Sequence, residues 1–114
     1  MRVQAQDLTM QYDDAGRIIE VFRDLTLDVA SGTSVAVVGE SGVGKTTLLY
    51  VLGALEKPVR GTIAIGEQSL DDVVRSGTDI AHFRGKHIGF VFQFHHLLPE
   101  FDAVENVAMP LLIQ

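Results

Sequence analysis

The most informative eight residues of the chain are Gly39-Glu40-Ser41-Gly42-Val43-Gly44-Lys45-Thr46. They fit the pattern G-x-x-x-x-G-K-[ST] at every fixed position. Before them, Ser34 to Val38 is apolar after its first residue, which predicts a strand covered on both faces of a sheet. After them, leucines and valines in residues 45–55 recur at helical spacing. The sequence therefore predicts a strand, a glycine loop and a helix in that order.

The residue types in this loop suit the binding of phosphate. Glycines have no Cβ, so backbone N–H groups can converge into a concave cradle for an anion. The following helix points its positive dipole end into that cradle. Lys45 can reach the β- and γ-phosphates of a nucleotide, while the Thr46 hydroxyl suits Mg²⁺. A dinucleotide fingerprint fits less well, because Thr47 stands where a third glycine is needed.

Composition limits the remaining possibilities. At 114 residues the chain is one domain or part of one, with 46% hydrophobic and 21% charged residues. A net charge of -6 argues against a generally basic nucleic-acid binder. The absence of cysteine excludes disulfides and thiolate metal sites. No window approaches the roughly 18 apolar residues that a membrane span requires.

Outside the loop, short apolar runs are separated by turn residues. Strands are expected at Val3–Tyr12, Ile18–Phe22, Leu25–Val29 and Thr62–Ile65, with turns at residues 13–16 and 31–32. A helix is expected over Ser69–Phe83, capped by Ser69, although Gly77 weakens it. Ile88–Phe92 predicts a second buried strand that ends at Gln93, and Ala103–Met109 predicts the start of a helix. Two such buried strands leave apolar sheet surfaces uncovered, so we expect the first half of a larger domain.

Two further features carry a family resemblance. Tyr12 lies 27 residues before Gly39, and Ile88-Gly89-Phe90-Val91-Phe92-Gln93 resembles the glutamine-loop strand of ABC transporter ATP-binding subunits. Within that family, residues 93–101, followed by Val104-Glu105-Asn106-Val107, resemble the subgroup that powers lipoprotein release from the bacterial inner membrane. Macrolide-export ATPases are near relatives of that subgroup. The resemblance extends over essentially the whole chain.

The resemblance implies an α/β fold of the P-loop NTPase type, incomplete here, with an N-terminal antiparallel β subdomain. Residues 1–114 would form the N-terminal part of an ATP-binding domain, with the phosphate loop at 39–46, the glutamine-loop region at 88–105 and the C-terminal half absent. The implied activity is ATP hydrolysis coupled to lipoprotein release or export, with ATP and Mg²⁺ as cofactors.

The same resemblance implies roles for individual residues. Tyr12 would stack on adenine, and Thr46 and Gln93 would hold Mg²⁺. Lys45 and Gln93 would be the catalytic residues. The residues that hold the nucleotide would be Tyr12, Gly39, Ser41, Gly42, Gly44, Lys45, Thr46 and Thr47.

The implied partners are membrane-spanning transporter subunits and a second ATP-binding subunit in a head-to-tail dimer, with no nucleic acid. The protein would lie on the cytoplasmic face of the bacterial inner membrane. Family members continue with a Leu-Ser-Gly-Gly-Gln signature, an Asp-Glu strand and a switch histidine, none of which occurs here. The chain alone should therefore hydrolyse ATP poorly or not at all. Alternatives are a truncated, non-catalytic nucleotide- or transporter-binding module, a macrolide-type exporter ATPase, and another P-loop enzyme such as a small kinase.

Overall fold

A computed structural model describes residues 1–113. Its strands are β1 (Val3–Asp14), β2 (Arg17–Val29), β3 (Arg60–Ile65) and β4 (Gln68–Ser69). Its helices are α1 (Lys45–Leu52), α2 (Leu70–Arg75), α3 (Ile80–His87) and α4 (Ala103–Leu112). The strands form one sheet in the order β2-β1-β3-β4, and each neighbouring pair is antiparallel. The antiparallel character expected for the first 30 residues is confirmed.

β1 and β2 form a long hairpin. The turn between them places Ala15 and Gly16 at φ 52° and 85°, and the Gly16 N–H donates to the Asp13 carboxylate at 2.8 Å. The two separate runs expected after this turn are instead the single strand β2. The strand pairing is irregular at the polar residues that separate the two runs. There Asp24 adopts φ 49°, and its N–H donates to the buried Thr9 hydroxyl at 3.2 Å. A bulge lets a strand continue past such residues.

The apolar core lies between the sheet and the first three helices. Its buried side chains are Ala5, Leu8, Met10, Val51, Ile63, Ile65, Val73 and Phe83. Val51 is fully buried and contributes α1 to this core, while Val73 and Phe83 contribute α2 and α3. This packing holds α1, and the glycine loop before it, in a set position against the hairpin.

The two buried strands expected at residues 34–38 and 88–92 are absent from the structure. Neither segment is a strand, and Val38 and Val91 are largely exposed. A strand needs neighbours that take its backbone hydrogen bonds. Within residues 1–113 no segment forms a ladder with either one. The apolar patterns are there, but the expectation of buried strands is wrong for this part of the chain.

The single helix expected over Ser69–Phe83 is two helices. Ser69 caps α2 as expected, accepting from the Asp72 N–H at 3.1 Å. Gly77 then takes φ 82° and the helix stops at this left-handed residue. Asp79 caps α3 by accepting from the Ala81 N–H at 3.1 Å.

Residues 88–92 pack along α1 although they form no strand. The Phe90 ring lies against Gly53, just beyond α1, while the Phe92 ring meets Tyr50 edge-on with 6.4 Å between centroids. The segment thus packs on the C-terminal turn of α1.

This contact gives a stability prediction. A Cβ on Gly53 would lie 2.1 Å from Phe90 Cζ, at an ordinary backbone conformation of φ -87°. Gly53→Ala should therefore cost about 1–3 kcal/mol through overpacking. Urea unfolding of the protein measures it. Gly89→Ala is the matched control, because its Cβ would meet nothing within 4 Å. Equal unfolding midpoints for the two variants would contradict the packing of Phe90 on Gly53.

Candidate functional site

The glycine loop is an exposed turn of unusual backbone. The Val43 N–H donates to the Glu40 carbonyl at 3.3 Å, and Gly42 and Gly44 adopt φ 83° and 108°. A Cβ on Gly44 would lie 2.5 Å from Val21 Cγ1 of β2. Glycine is therefore required at this position for both its backbone angle and its close approach to the hairpin.

The N-terminus of α1 is uncapped. Gly44 precedes the helix with no side-chain cap, and no acidic residue lies in the first turn. The first helical bond runs from the Leu48 N–H to the Gly44 carbonyl at 2.9 Å, so the N–H groups of residues 45–47 have no acceptor within the helix. In contrast, α2, α3 and α4 are capped by Ser69, Asp79 and Asp102. The first-turn amides of α1 can thus serve an anion.

Lys45 folds back over the loop. Its Nζ donates to the Gly39 carbonyl and, at 3.0 Å, to the Glu40 carbonyl. An ammonium group has three N–H donors, so one remains for another acceptor. The side chain is thereby held where the loop and the first turn of α1 meet, with its positive charge beside the free amides.

The hydroxyl residues after Lys45 complete the expected site. Thr46 is exposed and Thr47 is half-buried. Residues 1–113 contain no cluster of three or more His, Cys, Asp or Glu side chains that could hold a metal. A cation at Thr46 would therefore take most of its ligands from phosphate and water, which is the arrangement that Mg²⁺ favours. The donor set fits Mg²⁺ that arrives with a nucleotide.

Tyr12 is brought to this site by the hairpin. Its hydroxyl donates to the Glu56 carboxylate. This hydrogen bond is the main cause that raises the pKa of Tyr12, with burial adding to it and a hydrogen bond with Thr47 opposing it. The end of β1, the first turn of α1 and the segment after α1 therefore meet at one place. The sequence analysis did not identify Glu56, because no local pattern indicates its contact with Tyr12, which lies 44 positions earlier.

Gln93 lies at an exposed bend. In the part of the chain that the structure covers, no hydrogen bond joins Gln93 to the glycine loop. Tyr12 and the first turn of α1 thus meet directly, whereas no hydrogen bond links Gln93 to either of them within residues 1–113.

Asn106 holds the loop after Gln93, a structural role that the sequence did not indicate. Asn106 Oδ1 accepts from the Leu98 N–H at 2.8 Å, and its Nδ2 donates to the carbonyls of Leu98, Phe101 and Asp102 at 3.3, 3.1 and 2.8 Å. Asp102 and Glu105 add a reciprocal capping box to α4. Four apolar side chains of this loop are exposed: Phe94, Leu97, Leu98 and Phe101. We call these four side chains the apolar surface of the loop.

Helices long and apolar enough to cross a membrane do not occur within residues 1–113.

Comparison with known proteins gives consistent matches. A family model described as ABC transporter matches residues 22–112. The lipoprotein-releasing system ATP-binding protein LolD of Geobacter metallireducens is 48% identical over 112 residues, which are 97% of this chain and 48% of that protein. The protein of the same name from Chromohalobacter salexigens is 50% identical over 112 residues, 98% of this chain and 46% of that protein.

A solved structure matches as well. The ATP-binding cassette MJ0796, in a dimeric post-hydrolysis state bound to ADP and Pi, superposes with a TM-score of 0.87 at 33% identity, covering 97% of this chain and 47% of that one. The chain spans about half the length of the relatives it matches. This likeness confirms the expected fold class, an incomplete P-loop NTPase type with an antiparallel N-terminal sheet. With a family model that covers most of its residues, the chain belongs to the ABC transporter family, as an ATP-binding cassette sequence.

Proposed function

We propose that this protein binds Mg-ATP and couples its hydrolysis to lipoprotein release or export, as the ATP-binding subunit of a transporter at the bacterial inner membrane. The observation that carries the proposal is the uncapped first turn of α1, with Lys45 held beside it. Identity of 48–50% to two lipoprotein-releasing ATP-binding proteins supports the choice of transported cargo.

The phosphates would lie against the loop. The backbone of Gly39, Ser41, Gly42 and Gly44 lines the cradle, and the first-turn amides of α1 donate to phosphate oxygens. Lys45 supplies a positive charge through the one N–H that does not donate to the Gly39 and Glu40 carbonyls. This local positive field lets a chain with a net charge of -6 bind a polyanion, because the field acts within a few ångströms of the phosphates.

Thr46 and Gln93 would hold Mg²⁺ through a hydroxyl and an amide oxygen, with Thr47 as a further hydroxyl at the phosphates. When bound, the cation neutralises charge between the phosphates. Gln93 orients the attacking water. Because it lies at an exposed bend, its position also depends on the position of the loop at residues 94–101. Tyr12 presents its ring to the adenine base.

The apolar surface at residues 94–101 would receive a segment of a membrane-spanning subunit, which places the protein on the cytoplasmic face of the membrane. A second ATP-binding subunit would pair head to tail with this one; the dimeric cassette among the solved relatives supports it.

Residues 1–114 would form the N-terminal part of the ATP-binding domain, with functional regions at 39–46 and 88–105. The half-length coverage of relatives supports this division, and the unpaired segments 34–38 and 88–92 would find their sheet neighbours in the C-terminal half.

Gln93→Ala in the full-length protein, assembled with its membrane subunits in proteoliposomes, tests the proposal. Hydrolysis of ATP should fall about 10- to 100-fold, because the attacking water is no longer oriented, while ATP affinity stays within about threefold. Gln68→Ala, at an exposed position on β4, is the matched control and should hydrolyse normally. Wild-type protein that binds no ATP, or a Gln93→Ala variant with full activity, would refute the proposal.

A further inference from the structure

The ring of Tyr12 is held at both of its ends. Its backbone belongs to β1, where Tyr12 pairs with Ile19 across the hairpin. Its hydroxyl donates to the Glu56 carboxylate. Between these two anchors the side chain remains 39% exposed. The ring is therefore partly accessible, in an orientation that these two contacts set.

Glu56 is itself fixed in place by the turn that ends α1. Ala54 takes φ 62°, and the N–H groups of Leu55 and Glu56 both donate to the Tyr50 carbonyl, at 2.9 and 3.2 Å. Arg84 of α3 donates to the Ala54 carbonyl at 2.8 Å. The chain thus doubles back beside α1, and the carboxylate returns to the side of the helix where Tyr12 and Thr47 meet.

We propose that Glu56 is a positioning residue that orients the Tyr12 ring for the nucleoside end of a bound nucleotide. The inference rests on the proposed function, since it assigns a support to one contact of that same site. Glu56 acts through Tyr12 alone: it touches neither the phosphates nor the reacting atoms.

The physical gain is preorganisation. A free tyrosine ring must give up rotamer freedom when a base stacks on it, and such ordering costs affinity. A ring already held by a carboxylate has lost that freedom during folding. Removing the carboxylate should therefore weaken binding of a nucleoside triphosphate by about threefold to tenfold. It should leave a ligand that has no base unaffected.

The experiment compares ATP with inorganic tripolyphosphate, both with Mg²⁺, as ligands of the full-length protein. Glu56→Ala and Tyr12→Phe should each weaken ATP binding about threefold to tenfold and leave tripolyphosphate binding unchanged. The double variant should be no weaker than either single one, because both remove the same contact. Glu56→Gln retains an acceptor oxygen and should restore most of the ATP affinity. Glu67→Gln, in the exposed turn between β3 and β4, is the matched control.

Two results would overturn the positioning role: equal losses for ATP and tripolyphosphate in Glu56→Ala, which indicate general damage, or no loss for ATP. Lys45→Ala separates this inference from the proposed function. If that variant keeps its affinity for tripolyphosphate, the phosphate site itself is wrong. If it loses affinity while Glu56→Ala binds ATP normally, only the role of Glu56 fails.

Discussion

Replacing Lys45 with alanine should weaken Mg-ATP binding by about 100-fold. A hydrogen bond from a charged donor contributes about 1.5–3 kcal/mol, and one N–H of this ammonium is available to the phosphates after two donate to the Gly39 and Glu40 carbonyls. The variant loses the phosphate contact and also the tie that closes the loop. Isothermal titration of the full-length protein with Mg-ATP measures the change.

Lys86→Ala is the control for the loss of one positive charge, because Lys86 is an exposed lysine of α3, outside the glycine loop. Its affinity should match that of the wild type within about twofold. A folded Lys45→Ala variant with normal affinity would remove Lys45 from the site and leave the uncapped helix as the remaining phosphate ligand.

Gly44→Ala should be the most damaging change of a single methyl group in the loop. The new Cβ would lie 2.5 Å from Val21 Cγ1, at a residue with φ 108°. Strain at such a backbone angle costs about 1–3 kcal/mol, and overpacking against a stiff, β-branched side chain adds about 1–3 kcal/mol. Urea unfolding should show a loss of about 2–6 kcal/mol in the free energy of unfolding. ATP affinity should fall with it, as the loop is pushed away from the hairpin.

Gly42→Ala separates the two causes. Gly42 has a similar angle, φ 83°, but a Cβ there would meet nothing within 4 Å, so only backbone strain remains. Adding Val21→Ala to Gly44→Ala should recover part of the loss by clearing the clash, beyond what Val21→Ala costs alone. If Gly44→Ala costs no more than Gly42→Ala, the close approach of the loop to β2 is not a real constraint.

Continuous apolar runs predicted buried strands at residues 34–38 and 88–92, and the structure has none there. Such a run indicates that both faces of a strand would be covered if neighbouring strands were present. It does not supply those neighbours, and a ladder requires hydrogen bonds from both sides. The single helix predicted over Ser69–Phe83 is instead α2 and α3, because the left-handed Gly77 ends the first and Asp79 caps the start of the second.

Residue patterns were sufficient to predict the structure wherever its cause is local. The glycine loop leading into α1, the turn at residues 13–16 and the Ser69 cap each depend on neighbours within about four positions, whose dihedral preferences and side-chain acceptors can be read in order. Folding alone decided that Tyr12 meets Glu56, that Phe90 closes on Gly53 and that Asn106 ties down the loop at Leu98. The first two join parts of the chain more than 35 residues apart, and the third joins a loop to α4 across eight positions. No one-dimensional pattern encodes the first two contacts, because they form only when burial of the core brings distant elements together.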